Sequence, residues 1–131
     1  SGPTIVTDAD ADIVNNVFAF NTTWAILVSR HAAGSLVRNN LFWQNSGVYS
    51  DLNNVRVLTT DALNNRNNAQ QNNTGDPVFL DRAGLDFHLG PGSACVDQAH
   101  GAYAPEVDYD YVARPRGARP DIGAFESRVD P

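Results

Sequence analysis

The chain has 131 residues, 42% of them apolar, and a net charge of −6 in which the basic side is made only of Arg. That length suggests one domain, and the apolar residues come in strand-sized runs, none near the ~18 needed to cross a bilayer. An acidic chain without a basic cluster is a poor phosphate-backbone binder, so no nucleic-acid partner is expected.

In chain order, no basic-plus-apolar leader precedes the first strand. The chain starts Ser-Gly-Pro and holds no Met, as expected of a processed or excised piece. Residues 4–7 predict a first strand and 13–20 a second, with the acidic bend Asp8-Ala9-Asp10-Ala11-Asp12 between them. Residues 25–29 and 36–43 form the next pair, and Gly47 to Asp51 opens a third that continues through Val55-Arg56-Val57-Leu58. Aligning Asn15-Asn16-Val17-Phe18 with Asn39-Asn40-Leu41-Phe42 gives a shift of 24 residues and brings Asn21 onto Asn45 without a gap. The tetrapeptides starting at Thr4, Ile26 and Val48 recur every 22 residues. Self-similarity at such a period marks stacked turns, and the connections are too short for helical crossovers between parallel strands.

With Ile26, Val28 and Val48 pointing inward, the two-residue period of a strand places Ile5, Leu27 and Tyr49 in one outward row. Thr7, Ser29 and Asp51 fall in the next. The 14 Asn cluster beside these strands. Asn tolerates left-handed backbone at bends, and stacked Asn can join in amide ladders. For 64–73, which lacks apolar periodicity, a solvated polar loop is the expectation. The single cysteine, Cys95, lies between Ala94 and Val96 and reads as a buried thiol.

The repeat stops at Thr59 to Thr74. Beyond it come three short strands set apart by Gly and Pro, then a Pro-, Tyr- and Arg-rich loop. The run DPVFLD (76–81), LDFHLGPGSACVDQA (85–99) and DYDYVARPRGARPDIGAFE (108–126) resembles the C-terminal end of bacterial secreted right-handed parallel β-helix proteins, the pectate-lyase-like, choice-of-anchor group. The resemblance covers roughly 76–126 and departs from the pattern at Tyr111, which stands where the usual DxDG turn has glycine. It implies an all-β fold: a short right-handed parallel β-helix of two to three coils with a C-terminal cap. The coils would occupy 1–58, an Asn-rich loop 59–75, and the C-terminal strands and cap of the same domain 76–131. It also implies a bacterial protein, secreted or at the cell surface.

Candidate sites follow from both readings. The alternating carboxylates Asp8, Asp10 and Asp12 form a candidate Ca²⁺ site, since Ca²⁺ takes several hard oxygens in irregular geometry; a solvated acidic turn is the weightier alternative, because the spacing lacks the Gly and distal Glu of a full EF-hand loop. The resemblance adds that lyases of this type pair Ca²⁺ with a basic residue abstracting a proton, a role that falls here to Arg30. An Asp8–Arg30 surface pair explains the same spacing. Ser29, Tyr49 and Asp51 on the outward rows, and His31 just after the 25–29 strand, are candidate polysaccharide contacts, Tyr49 first among the aromatic residues. His88 is expected to face outward beside Asp86 in a structural role. Asp121 is placed to hold a turn, and Glu126 to pair with Arg114 or Arg116.

Three functions stand in order. The first is a non-catalytic terminal or capping segment of a secreted, polysaccharide-associated β-helix protein that contacts glycans. The second is a Ca²⁺-dependent polysaccharide lyase-like enzyme using Asp8, Asp10, Asp12 and Arg30. The third is a self-assembling or partner-binding module, including a homo-oligomer, acting through an open N-terminal coil whose strand edges are unpaired.

Overall fold

The computed structural model describes residues 5–28, 34–51 and 55–128. Its strands are β1 (Ile5–Thr7), β2 (Asp12–Val14), β3 (Val17–Ala19), β4 (Trp24–Val28), β5 (Leu36–Arg38), β6 (Leu41–Trp43), β7 (Gly47–Asp51) and β8 (Arg56–Val57). A one-turn helix α1 (Thr60–Asn64) follows, then β9 (Ala69–Gln70), β10 (Asn73–Thr74), β11 (Phe79–Asp81) and β12 (Asp86–Leu89).

The 24-residue shift appears directly as strand pairing. Ile13 lies opposite Val37 where β2 pairs with β5, and Phe18 lies opposite Phe42 where β3 pairs with β6, both parallel. The right-handed parallel β-helix of two to three coils with a C-terminal cap is nonetheless not what the strands make. They fall into four small separate sheets, ordered β1-β4-β7-β8, β2-β5-β9, β10-β6-β3 and β11-β12. The first is mixed, because β8 runs antiparallel to β7, and the last is antiparallel.

Two causes lie in the sequence. Asn15 and Asn39 adopt left-handed backbone, with φ of 62° and 51°, and break the single strands expected over 13–20 and 36–43 into separate short ones. After β7 the repeat gives way to a different local signal. Thr59 caps α1 by accepting the Ala62 N–H at 3.2 Å, and the helix stands where another copy would begin. The segment 59–75, expected as an Asn-rich loop, thus carries α1, β9 and β10.

The sheet of β3 and β6 is buried on both faces. Phe18 and Phe42 stack with ring centroids 5.1 Å apart inside a core that includes Ile26, Val28, Val37 and Leu63. On the opposite face Val17 and Leu41 meet Leu89, Cys95 and Ile122. Each such side chain contributes about 1.5–3 kcal/mol when fully buried. The C-terminal segment is tied to this sheet through Asn15, whose carboxamide exchanges bonds with the His100 N–H and C=O at 2.7 and 3.0 Å while its backbone oxygen accepts the Gly123 N–H at 3.0 Å.

Candidate functional site

Strands β1, β2 and β3 are each the terminal strand of a sheet, and no strand lies beyond them among the described residues. Because consecutive elements β1–β3 pair with consecutive elements β4–β6, the three free edges share one end of the molecule. On β3 the direction of the free groups is fixed. The Leu41 N–H donates to the Asn16 oxygen at 2.9 Å, and the Phe20 N–H donates to the Trp43 oxygen at 3.0 Å. Residues 16, 18 and 20 therefore face β6, and by the alternation of a parallel ladder Val17 and Ala19 turn their N–H and C=O the other way.

A groove of about 680 Å³ runs along that side, lined by Val17, Phe18, Phe79, Phe87, Leu89 and Phe125 among others. The Arg82 guanidinium lies 3.8 Å over the Phe20 ring at its border. One wall belongs to the β3 edge and the other to the C-terminal segment.

An asparagine ladder ends at the same edge. Asn64 Oδ1 accepts the Asn72 N–H and Nδ2 at 3.0 and 2.9 Å, and Asn72 Oδ1 accepts the same two groups of Asn40 at 3.1 Å each. Asn40 Oδ1 in turn accepts the Asn16 N–H and Nδ2 at 2.9 and 3.2 Å. Asn40 and Asn72 are buried, at 0% and 4% exposure, and their remaining amide hydrogens go to the Ile13 and Val37 oxygens. The ladder has a polarity: along the series Asn16, Asn40, Asn72, Asn64 each residue donates its N–H and Nδ2 to the Oδ1 of the next. Asn16 Oδ1, the last acceptor, receives no donor among the described residues. The 64–73 stretch, expected as solvated loop, supplies two of the four rungs.

The sequence-predicted sites fare differently. Arg30, Ser29 and His31 lie outside the described residues. Asp8, Asp10 and Asp12 are exposed. Asp10 Oδ1 accepts the Gly34 N–H at 2.9 Å, and Asp12 Oδ2 receives the Tyr103 hydroxyl at 3.5 Å. Among the described residues no group of three or more His, Cys, Asp and Glu is arranged to hold a metal ion.

The outward row of Ile5, Leu27 and Tyr49 is corrected. Ile5 pairs with Ile26 and Ile26 with Tyr49, steps of 21 and 23 residues in place of a uniform 22. A one-residue slip exchanges the faces of a strand, and Tyr49 sits in the core at 1% exposure with the Arg66 guanidinium 5.0 Å over its ring. Burial pushes its phenol up against the opposing pull of Arg66. Asp51 pairs with Arg66 at 3.7 Å. Trp24 packs over Gly47, where a Cβ would come within 2.2 Å of the indole.

His88 is drawn into a charged cluster whose second carboxylate, Asp110, the spacing did not reveal. Its Nδ1 lies 2.5 Å from Asp86 and its Nε2 2.7 Å from Asp110, which also receives Arg128. The ring rests on Phe125 with centroids 4.0 Å apart. The Asp110 and Asp86 hydrogen bonds raise the His88 pKa, and the bonds from His88 lower those of both carboxylates. An imidazolium held at both nitrogens has no lone pair to take a proton; the arrangement is a strap between β12 and the 108–112 turn. Cys95, fully buried, has its thiol pushed up to about 12 by desolvation, as suits an inert core residue.

No family model matches the chain, no curated protein or solved structure matches it, and none of these comparisons identifies it as pectate-lyase-like.

Proposed function

We propose that the chain is an interaction module that accepts β-strands from a partner along the free edges of β1, β2 and β3. The observation that carries this reading is three terminal strands at one end of the molecule, with an apolar groove along β3 that reaches Ile5 of β1. Proteins that keep an edge unpaired usually blunt it with Pro, Lys or an inward-pointing charge. Here β1 reads Ile-Val-Thr and β3 Val-Phe-Ala, and Asp12 on β2 is the only charge on the three edges. Backbone groups of Val17 and Ala19 supply affinity for an added strand, and a groove walled on both sides supplies pockets for its alternating side chains, the two components of strand addition.

Hydrogen exchange tests the reading. Peptides selected for binding from a random display library should slow exchange of the Val17 and Ala19 amides and of their neighbours in β1 and β2. Binders that protect only other regions, or a library that yields none, would overturn it.

A further inference from the structure

Resting on the strand-accepting reading, we propose a specific occupant for the groove: a parallel strand carrying the chain's own Asn-Asn-(Val/Leu)-Phe-x-x-Asn pattern, with its second Asn donating to Asn16 Oδ1. Three features of the β3 edge select it.

The first is the ladder. Among the described residues Asn16 accepts nothing at Oδ1, whereas Asn40 and Asn72 each accept a backbone N–H and an Nδ2 from one residue of the preceding rung. Only a residue whose N–H and carboxamide both point along the ladder reproduces this, and in the chain that residue is always Asn at a bend before a strand. The second is the stacking. Phe18 lies opposite Phe42 in a parallel ladder with the rings at an interplanar angle of 14°, so a further copy in the same register sets its Phe beside Phe18. The third is the two-sided wall. A strand hydrogen-bonded to Val17 and Ala19 would turn its Phe toward Phe18 and Ile5, and the residues on either side of that Phe toward Phe79 and Phe87. An apolar-Phe-apolar triplet fits, as Val17-Phe18-Ala19 and Leu41-Phe42-Trp43 already do.

A second copy docked by its own β3 edge fits less well. A two-fold axis sets the two edges antiparallel, which leaves both Asn16 acceptors unserved, and each copy carries a charge of −6. A strand of the repeat with a basic residue is complementary in charge as well.

The probe is a synthetic peptide of residues 36–46, LVRNNLFWQNS, whose only charged side chain is Arg38. Binding to the full chain is followed by calorimetry, and the bound edge by hydrogen exchange. The peptide should bind and slow exchange at Val17 and Ala19. Replacing Asn40 by Ala within the peptide should weaken binding about tenfold, the effect of losing one or two hydrogen bonds to a partly buried acceptor. The same peptide change should matter little against an Asn16→Ala chain, because the acceptor is already gone. A peptide of reversed sequence should not bind. Equal binding by the reversed or Asn40→Ala peptide would overturn the occupant but leave the strand-accepting edge standing. Failure of every peptide to bind or to protect β3 would overturn both. Self-association that protects β1–β3 and excludes the peptide would give the edge to a second copy and overturn the occupant.

Discussion

Arg114 Nη1 lies 3.2 Å from Glu126 Oε1, and the two side chains are 4% and 0% exposed. Each is further committed. Arg114 donates to the Asp121 and Gly123 oxygens at 2.9 and 2.8 Å, and Glu126 accepts the Asp121 and Arg116 N–H groups at 2.9 and 3.2 Å. The pair therefore closes the C-terminal segment, which in turn forms one wall of the groove.

Breaking it from one side strands a buried charge. Glu126→Gln leaves the Arg114 guanidinium uncompensated and should lower stability by about 3–5 kcal/mol. Urea denaturation should show the midpoint falling with little change in slope. Arg114→Met combined with Glu126→Gln should lose less than the two single changes together, since neither charge is left alone. A Glu126→Gln chain within about 1 kcal/mol of the original would mean the segment is held by its backbone bonds instead.

The ladder predicts a gradient along its rungs. Asn40→Ala removes the acceptor of two Asn16 donors, leaves the buried Ile13 oxygen without its Asn40 donor, and leaves Asn72 Oδ1 with only the Asn40 backbone N–H. A loss of about 2–4 kcal/mol is expected from stranded buried polar groups. Asn16→Ala removes a half-buried carboxamide and leaves Asn40 Oδ1 with the Asn16 backbone N–H, so it should change stability by less than about 1 kcal/mol. Thermal unfolding of both variants checks this, and equal effects would show that the rungs are not ordered by burial.

Much of this arrangement could be read from the amino acids, and the failures have physical reasons. The 24-residue shift was legible because side chains that stack must match: Phe18 on Phe42 and Asn16 on Asn40 leave a repeat in the sequence. A pairing of Glu126 with Arg114 or Arg116 was legible from opposite charges in an otherwise Pro- and Gly-rich stretch, and the structure gives the ion pair to Arg114. The facing of Tyr49 was not, because β1–β4 and β4–β7 depart from the mean spacing in opposite directions and a strand's face depends on parity. Helix α1 was hidden by a polar composition with a single buried apolar residue, Leu63, although Thr59 before Asp61 and Ala62 is a cap signal. The free edge was expected at the N-terminal side, but the walled groove beside β3 depends on where 79–89 and 122–125 dock, and no local pattern encodes that.

His88 and its two carboxylates predict a pH window. A raised histidine pKa contributes stability that is fully present below the ordinary value near 6.5 and is lost as pH rises through the higher folded value. The lowered Asp86 and Asp110 contribute stability that is present above the ordinary value near 3.8 and is lost as pH falls through the lower folded ones. The cluster is therefore strongest between about pH 4 and 6.5. Urea midpoints measured from pH 4 to 9 should decline above neutrality in the original chain and decline less in His88→Gln. Superimposable pH profiles would remove the cluster as the source.

Tyr111 offers a gain in place of a loss. It holds a left-handed backbone in the 108–112 turn, with φ at 63°. Asp108 holds it there, accepting the Asp110 and Val112 N–H groups at 2.8 and 2.9 Å through Oδ1 and the Tyr111 N–H at 3.1 Å through its backbone oxygen. The left-handed region disfavours a side chain by about 1–2 kcal/mol, and Tyr111 recovers little of that, being 87% exposed. Glycine adopts the same angles without the clash but gives up more entropy on folding, roughly 0.5–1 kcal/mol. The balance favours Tyr111→Gly by about 0.5–1 kcal/mol, a rise of a few degrees in melting temperature for a chain of this size. Tyr111→Val at the same site should fall below the original, because a β-branched side chain tolerates positive φ least. A Gly variant that melts lower than the Tyr chain would show that the ring makes a contact outweighing the backbone strain.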